Sequence, residues 1–374
     1  MKKIIFIVVI FVFVMCFGYK VEASDDGAFA INNEVSLDEC FKSMNLCRLS
    51  SDIQVSNAKT VNGDLILDLN GHTISPTSTF QLKGGIIAVN RGGKLTINDS
   101  KGTGKITSGS GDHVWSGIQL IRDKNSKGVA ELIVNGGTIE GYYHGVVGNG
   151  GVHNTKITIN GGVIRGLNQE DSVGIYQPQQ GDLIINNGLI EGGTGIEIRS
   201  GNLTVYNGTI KAIASKFVKM VNTNGTTTNG VGISVAQHTT KNPINVIIKN
   251  GNVSGQYAFY EWNPHNNVKD DLDKIHLQIQ GGVFTGFATG VKAVYSQDFT
   301  NFISGGEFST DVSEYLTNDA NVNFQIDNDS MSVFKEDSKN SNVKFFLIIS
   351  IILIILVGCI YFYFKLVCNK KIYF

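Results

Sequence analysis

The chain is poor in charge and in proline. Only 17% of its 374 residues are charged, 31 Lys and Arg balance 32 Asp and Glu, and it has 4 prolines. Such a low and balanced charge argues against a protein that binds nucleic acid through a basic surface. Glycine is abundant, with 44 residues, but shows no three-residue period. The composition therefore excludes collagen-like and proline-rich disordered chains and predicts many tight backbone turns.

The N-terminal segment predicts export. Lys2 and Lys3 precede an uncharged apolar stretch, and Ala23 supplies the small residue that signal peptidase needs before Ser24. These are the parts of a secretory signal, so we predict that residues 1–23 are removed from the mature protein.

The C-terminal segment predicts a membrane anchor. Residues 345–364 form a run of 20 residues without a charge, which as a helix spans a hydrocarbon core of about 30 Å. Three lysines follow within residues 365–374, so the positive-inside rule places this tail in the cytoplasm. A cleaved lipid-anchor signal is the alternative, but such a signal ends in its hydrophobic run rather than in charge. The polar residues 335–344 are predicted to form a stalk.

The body between these ends is acidic. Without the signal and the tail, 25 basic and 31 acidic residues remain, a net charge of about −6. A polyanionic partner would be repelled by this charge. The predicted protein is thus a single-pass cell-membrane protein with an extracellular body and no nucleic-acid partner.

Cysteine and histidine offer little for catalysis or metal binding. Of five cysteines, only Cys40 and Cys47 lie in the predicted extracellular body. An even pair in an exported domain is more typical of a disulfide than of a metal site or a nucleophile, so a Cys40–Cys47 disulfide is predicted. The 7 histidines are scattered without the spacing of zinc ligands, and no metal or other cofactor is predicted.

One sequence phrase recurs through the body. It alternates apolar and polar residues around an Asn-Gly or Gly-Gly pair, as in residues 132–139 and 157–164. From Leu69 to Ile303 the corresponding position occurs nine times, at a mean spacing of about 29 residues. The alternation has the period of a β-strand, and the glycine pair predicts a turn with a positive φ angle. A second short apolar strand follows most copies, at Gly85-Ile86, Gly117-Ile118, Gly145-Val146, Gly174-Ile175, Gly195-Ile196, Gly232-Ile233 and Gly290-Val291.

Two folds compete for this pattern. Asn-Gly pairs are also the strongest signal for β-hairpins, which would form a sandwich. Hairpins do not require similar residues at a long fixed period, whereas a parallel β-helix does, because Ile139, Ile164, Ile190 and Ile210 must stack in one dry column. The period therefore favours a β-helix over residues 51–310.

Both ends of the solenoid need covers, because the last rung would otherwise expose unpaired strand edges. Within an N-terminal cap at 24–50, the capping box at residues 36–39 predicts a helix from about Leu37 to Met44, with Val35 and Cys40 as a hydrophobic staple. A C-terminal cap is predicted at 311–334, as a small helix and a closing pair of strands.

The first and last copies carry a family resemblance. With Leu67-Asp-Leu-Asn-Gly-His-Thr-Ile-Ser75 and Ser304-Gly-Gly-Glu-Phe-Ser-Thr-Asp-Val-Ser-Glu-Tyr-Leu316, the chain resembles bacterial cell-surface proteins of low-GC Gram-positive organisms that have a pectate-lyase-like right-handed β-helix. The predicted fold is an all-β, single-stranded right-handed parallel β-helix with a short N-terminal cap helix and a C-terminal transmembrane helix. The resemblance implies a display scaffold or a carbohydrate-binding region. The chain departs from many of these proteins in having a membrane span instead of a wall-sorting signal.

The position after the last repeat isoleucine forms a charged column. Four successive copies have Glu140, Arg165, Glu191 and Lys211 there. Alternating charges one rung apart are typical of a solvated salt-bridge ladder. The alternative makes Glu140 and Glu191 the carboxylate pair of a glycosidase, but Arg165 between them would favour the ionised forms and oppose a general-acid role.

Other catalytic signatures of this fold are missing from the sequence. The motifs of polygalacturonase-like hydrolases are not reproduced, and Asp270-Asp271 is predicted to lie in a charged loop. No copies carry several aspartates in register for calcium.

Aromatic residues supply the candidate ligand-binding site. Sugars stack on aromatic rings, and the chain clusters such rings with a carboxylate at Tyr257, Tyr260, Glu261 and Trp262. Neighbouring copies add Trp115, Tyr143, His144 and Tyr176. The alternative is that these rings form internal stacks or plug loops.

Three functions are consistent with the sequence. The favoured hypothesis is an adhesin-like or carbohydrate-binding surface protein that performs no catalysis and binds a glycan or a host surface. A polysaccharide lyase or glycoside hydrolase on the same fold is the second, and a purely structural spacer is the third.

Overall fold

The chain visits three β-sheets in turn and then returns to the first sheet one rung further along. The computed structural model describes residues 27–221, 225–287, 290–325 and 330–335. Within these residues, neighbouring strands of the three sheets pair in parallel, except at the C-terminal end of one sheet. Stacked parallel sheets of this kind are the arrangement of a parallel β-helix.

The three sheets are called A, B and C, in the order in which each repeat reaches them. Sheet A contains Phe29–Ile31, Leu46–Leu49, Asp64–Asp68, Lys94–Asn98, Ala130–Val134, Thr155–Ile159, Gly181–Ile185, Gly201–Val205, Ile244–Ile248 and Ile275–Ile279. Sheet B contains Ile53–Val55, Thr73–Pro76, Lys105–Thr107, Thr138–Gly141, Val163–Gly166, Leu189–Gly192, Thr209–Ala212, Asn252–Gly255, Val283–Gly286, Gly306–Phe308, Ala320–Gln325 and Ser330–Lys335. Sheet C contains Lys59–Val61, Leu82–Val89, Val114–Leu120, His144–Val147, Val173–Gln177, Thr194–Ile198, Val231–Val235, Tyr257–Glu261 and Val294–Ser296.

The predicted isoleucine column is confirmed. Ile139, Ile164, Ile190 and Ile210 are successive partners in sheet B, and all four are fully buried. Because these partners lie in parallel strands of separate rungs, the hairpin alternative does not apply to them. Their burial against the apolar residues of sheets A and C forms the continuous core of the solenoid.

Glycine is required where the isoleucine column lies against the backbone of sheet C. A Cβ atom placed on Gly145 would lie 2.6 Å from Ile164 Cγ2, and one on Gly174 would lie 2.6 Å from Ile190 Cγ2. The recurrent glycine of the second strand therefore makes room for the isoleucine column. The predicted positive-φ turns are also present, for example at Gly162 with φ 81°.

Asparagines at the ends of four successive strands of sheet A form a ladder along the solenoid. Each amide nitrogen donates to the amide oxygen of the asparagine one rung before, at 2.7 to 2.8 Å. The ladder comprises Asn98, Asn135, Asn160 and Asn186. It satisfies polar side chains at the corner and helps to set the register of the rungs.

The N-terminal cap begins one turn earlier than predicted. Helix α1 spans Glu34–Ser43, and its N-cap is Asn33, which forms a reciprocal capping box with Ser36. The predicted box at 36–39 is wrong, because Ser36 lies inside the helix as the partner of Asn33. The predicted staple is wrong as well, because Val35 is 76% exposed. Leu37 and Cys40 are the buried residues of this helix, and Cys40 forms the predicted disulfide with Cys47.

The C-terminal cap consists of short elements. A 3-10 turn at Ser313–Tyr315 is followed by Ala320–Gln325 and Ser330–Lys335, which pair in antiparallel fashion and cover the last parallel strand of sheet B, Gly306–Phe308. Two local predictions are wrong. The last strand of sheet C is Val294–Ser296 rather than Gly290-Val291, and Asp270-Asp271 lie in helix α2, Lys269–Leu272.

The predictions for the two ends of the chain concern residues that the structure does not describe. The signal peptide at 1–23, the stalk after Lys335, the membrane helix at 345–364 and the tail at 365–374 lie outside the described residues. In the part of the chain that the structure describes, no helix combines the length and the apolar character needed to cross a bilayer.

Candidate functional site on the outer face of sheet C

The predicted ligand-binding aromatic residues lie on or beside the strands of sheet C. Tyr176, Glu197, Ser234, Tyr260 and Tyr295 are successive partners one position after residues of the core. Because side chains alternate across a strand, this column lies on the outer face. The face divides into an open half, around Trp115 and Tyr143, and a covered half, from Tyr176 to Trp262.

The open half is centred on Trp115. The strand pairing is irregular beside this residue, so Lys83 and Gly84 form a bulge opposite it. Lys83 Nζ lies 5.5 Å from the centre of the indole ring. Tyr143, on the next rung, donates its amide hydrogen to the carbonyl of Trp115 at 2.9 Å, and the two rings meet edge to face at 5.2 Å. Bulges that re-aim side chains are common beside binding sites.

A shallow cleft of about 290 Å³ lies beside Trp115. Its lining combines an aromatic face with charged and polar groups, namely Gln81, Leu82, Lys83, Asp112, His113 and Trp115. Burial raises the pKa of Tyr143, and the nearby Tyr142, Asp171 and Asp112 raise it further, so its hydroxyl stays protonated and can donate at neutral pH. The open half thus offers one partly exposed ring surface with hydrogen-bonding groups around it.

The covered half is sealed by an insertion between sheets B and C. We call this insertion the strap, residues 213–221 and 225–230. Phe217 of the strap lies 4.7 Å from both Tyr257 and Tyr260, measured between ring centres, and Tyr260 stacks on Tyr295 at 4.7 Å. Tyr260 is only 4% and Trp262 only 9% exposed. These rings form a second small core, as the internal-stack alternative expected.

A buried ion pair lies beneath the strap. Glu197 and Arg199 are 0% and 2% exposed, with Nε and Oε1 4.0 Å apart. The amide and hydroxyl of Thr227 both donate to the Glu197 carboxylate, at 2.9 and 2.8 Å. Gly225 accepts from Arg199 Nη1 at 2.8 Å and from the hydroxyl of Tyr176 at 2.7 Å. Burial raises the pKa of Glu197 and raises that of Tyr176 to about 12.

The side chains of Glu261 and His144 are buried and hydrogen-bonded within the protein. The Glu261 carboxylate accepts from the Ser296 hydroxyl at 2.7 Å and from the amides of Gln297 and Asp298 at 3.0 and 3.1 Å, so it anchors the turn after the last strand of sheet C. Burial raises its pKa to about 7. Burial lowers the pKa of His144 to about 3, so this ring is neutral and contacts the Ser116 hydroxyl at 3.3 Å.

The charged column on sheet B is a salt-bridge ladder. Arg165 lies between the two glutamates, with Nη1 3.7 Å from Glu140 and Nε 2.6 Å from Glu191. Lys105 adds a further contact to Glu140 at 3.2 Å. Both carboxylates are therefore engaged by cations, as in the predicted salt-bridge ladder.

Sequence reasoning missed the polar cluster under the strap. Glu197 and Arg199 occupy ordinary positions of the repeat, and Thr227 lies between copies. The available signal was the spacing: the sheet A partners Leu203 and Val246 are 43 residues apart, against 26 for Ile157 and Leu183. A long insertion at one rung indicates a loop that covers a neighbouring face.

No metal centre is apparent in the described part of the chain, where no group of three or more His, Cys, Asp or Glu side chains is arranged to hold an ion. Comparison of the chain with protein-family models, with curated proteins and with solved structures gave no match.

Proposed function

We propose that this protein is a membrane-anchored, surface-displayed right-handed β-helix that binds a carbohydrate at the open half of sheet C and performs no catalysis. The observation that carries the proposal is the Trp115–Tyr143 ring pair, partly exposed on adjacent rungs and bordered by the cleft with Lys83, Asp112 and His113. An aromatic face with a few convergent polar groups suits a ligand that has apolar C–H faces and many hydroxyls, as a sugar does.

The electrostatics support a binding role rather than catalysis. The best-aligned carboxylates, Glu140 and Glu191, are engaged by Arg165 and Lys105 on sheet B. They lie on sheet B, whereas the rings lie on or beside the strands of sheet C. An exported and anchored scaffold without a catalytic pair fits display of a binding surface.

The test is binding of the full-length chain, purified in detergent, to an array of plant and host glycans. We expect Trp115→Ala to weaken binding about tenfold or more, because the ring supplies the main contact area. The matched control is Tyr206→Ala, which removes an exposed ring that also has a lysine, Lys249, at 4.6 Å but lies just after the sheet A strand Gly201–Val205.

Three results would contradict the proposal. Equal loss in both variants would show that the open half is not the site. A blank array would favour the spacer. Release of unsaturated products or reducing ends that depends on Glu140 or Glu191 would favour the enzyme.

A further inference from the structure

Two histidines in the covered half accept hydrogen bonds beside the buried arginine. Arg199 Nη2 lies 2.6 Å from His265 Nε2. His238 Nδ1 accepts from the amide of Thr240 at 3.3 Å. A guanidinium has only donors, so the contact with Arg199 requires a neutral His265 imidazole with its lone pair on Nε2. A proton on that nitrogen removes the hydrogen bond.

Arg199 connects these histidines to the strap. On one side its Nη1 donates to the carbonyl of Gly225 in the strap, and on the other its Nη2 faces His265. Glu197, which faces the same guanidinium, accepts two hydrogen bonds from Thr227 of the strap. Two of the polar contacts that hold the strap on the sheet, those of Gly225 and Thr227, therefore share one buried cation with the imidazole.

We propose that the His265–Arg199 contact is a pH-sensitive latch, which holds the strap over the covered half at neutral pH and releases it in acid. Protonation of His265 places an imidazolium 2.6 Å from the guanidinium. Arg199 is almost fully buried, so solvent screens this repulsion little. His238, with its ring centre 6.0 Å from that of His265, brings a second titratable charge to the same side. Histidine protonation is the usual chemistry of such switches.

The pKa shifts of the groups around Arg199 set the sign of the pH dependence. Burial lowers the pKa of His265, and Arg199 lowers it further. The released state therefore binds the proton more tightly than the docked state, so docking is stable above the ordinary histidine pKa of about 6.5 and is lost as the pH falls below it. Burial raises the pKa of Glu197, so by the same linkage acid favours the docked state at this carboxyl, and the effect of the histidine has to exceed it. Two further cations belong to this region: Lys219 of the strap lies over Trp262, and Lys241, whose amide donates to the carbonyl of His238, is paired with Asp271.

Release has a defined structural consequence. The strap covers Tyr257, Tyr260 and Trp262, and Trp262 Nε1 donates to the hydroxyl of Thr227 at 3.3 Å. Undocking breaks this bond and exposes an aromatic surface that is sealed at neutral pH. Trp262 is therefore a direct reporter of the latch.

The experiment uses the full-length chain in detergent with Trp115→Phe, which leaves Trp262 as the single remaining tryptophan of the two. Acrylamide quenching of Trp262 is measured from pH 8 to pH 5, with far-UV circular dichroism to confirm that the β-helix persists. We expect quenching to rise about threefold or more, with a midpoint below about 6.5. A flat quenching profile with an intact β-helix would overturn the proposal.

Two variants separate the latch from other titrations. In His265→Gln, the amide oxygen still accepts from Arg199 but does not titrate, so the acid transition should disappear. In His113→Gln, which changes an exposed histidine of the open half, the transition should be unchanged. The latch is contradicted if His265→Gln retains the parent profile.

A second measurement on the unsubstituted chain does not depend on how the variants fold. The amide of Thr227 donates to Glu197 only while the strap is docked. Its hydrogen-exchange protection, relative to an unfolded peptide, should fall about tenfold between pH 7.5 and pH 5.5 while amides in sheet A remain protected. Unchanged protection of Thr227 would also overturn the proposal.

Discussion

The open and covered halves of sheet C carry similar side chains on the same face of the same repeat. Trp115 and Tyr143 remain partly exposed, whereas Tyr260 and Trp262 are buried beneath the strap. The two halves differ by one insertion, not by the repeat itself. An aromatic residue at a repeat position thus stays partly exposed or joins a core according to whether an insertion covers it.

The electrostatics of the two halves differ in the same way. In the covered half, Arg199 is 2% exposed and contacts Glu197, His265, Tyr176 and the strap. In the open half, Arg122 is partly buried and donates to the carbonyl of Gly85 at 2.6 Å. Burial lowers the pKa of Arg122. Beneath the strap, the arginine is therefore part of a buried hydrogen-bond network. Replacing it should lower the free energy of unfolding more than replacing the arginine of the open half.

The largest effect is expected from removing the central cation. Arg199→Ala leaves Glu197 buried without its counter-charge, and should lower the free energy of unfolding by about 3 to 5 kcal/mol. The measurement is urea unfolding followed by circular dichroism. Arg122→Ala is the matched control and should cost only about 1 kcal/mol, the value of a single hydrogen bond. Equal losses would show that the strap does not create a distinct buried network.

An intermediate effect is expected from the apolar part of the strap. Phe217→Ala removes the ring that packs on Tyr257 and Tyr260. The ring is only partly buried, so the loss should be about 2 kcal/mol, below the range for a fully buried phenylalanine. Quenching of Trp262 by acrylamide at pH 8 should increase in the same variant. Unchanged quenching would mean that the polar contacts alone hold the strap.

The smallest effect on stability is expected in the open half. Trp115→Ala removes a partly exposed ring that contacts Tyr143 and Lys83, and should cost less than about 1 kcal/mol. The same substitution is the one expected to abolish most glycan binding. A loss as large as that of Phe217→Ala, measured by the same urea titration, would assign Trp115 to the core and remove the contrast between the halves.

Much of the scaffold could be predicted from the spacing of a few residues. The Ile139 to Ile210 column, the glycine turns and the Cys40–Cys47 disulfide were all predicted and are present. These features depend on neighbours one rung away or a few residues along the chain, and such neighbours leave a period in the sequence. The start of helix α1 was misplaced because Ser36 and Asn33 both fit a cap, and only the backbone shows that Asn33 is the N-cap.

The site was less predictable. The rings of Tyr260 and Trp262 were predicted as ligand contacts together with that of Trp115, but the strap separates them from solvent. Glu261 was predicted as their polar partner, yet its carboxylate binds the turn at Ser296. Whether an acid beside aromatic residues points outward or inward depends on the bend of the chain after the strand, and the residue types do not encode that bend.

The sequence by itself determined the repeat, its turns and the identity of the stacked residues, because a solenoid repeats the same local contacts at each rung. Only the tertiary structure decided which aromatic rings are open and which ionisable groups meet. Thr227 and Glu197 are hydrogen-bonded although they are 30 residues apart in the sequence, and Arg199 and His265 are 66 residues apart. Contacts over such separations depend on the paths of segments outside the repeat, and these segments have no period in the sequence.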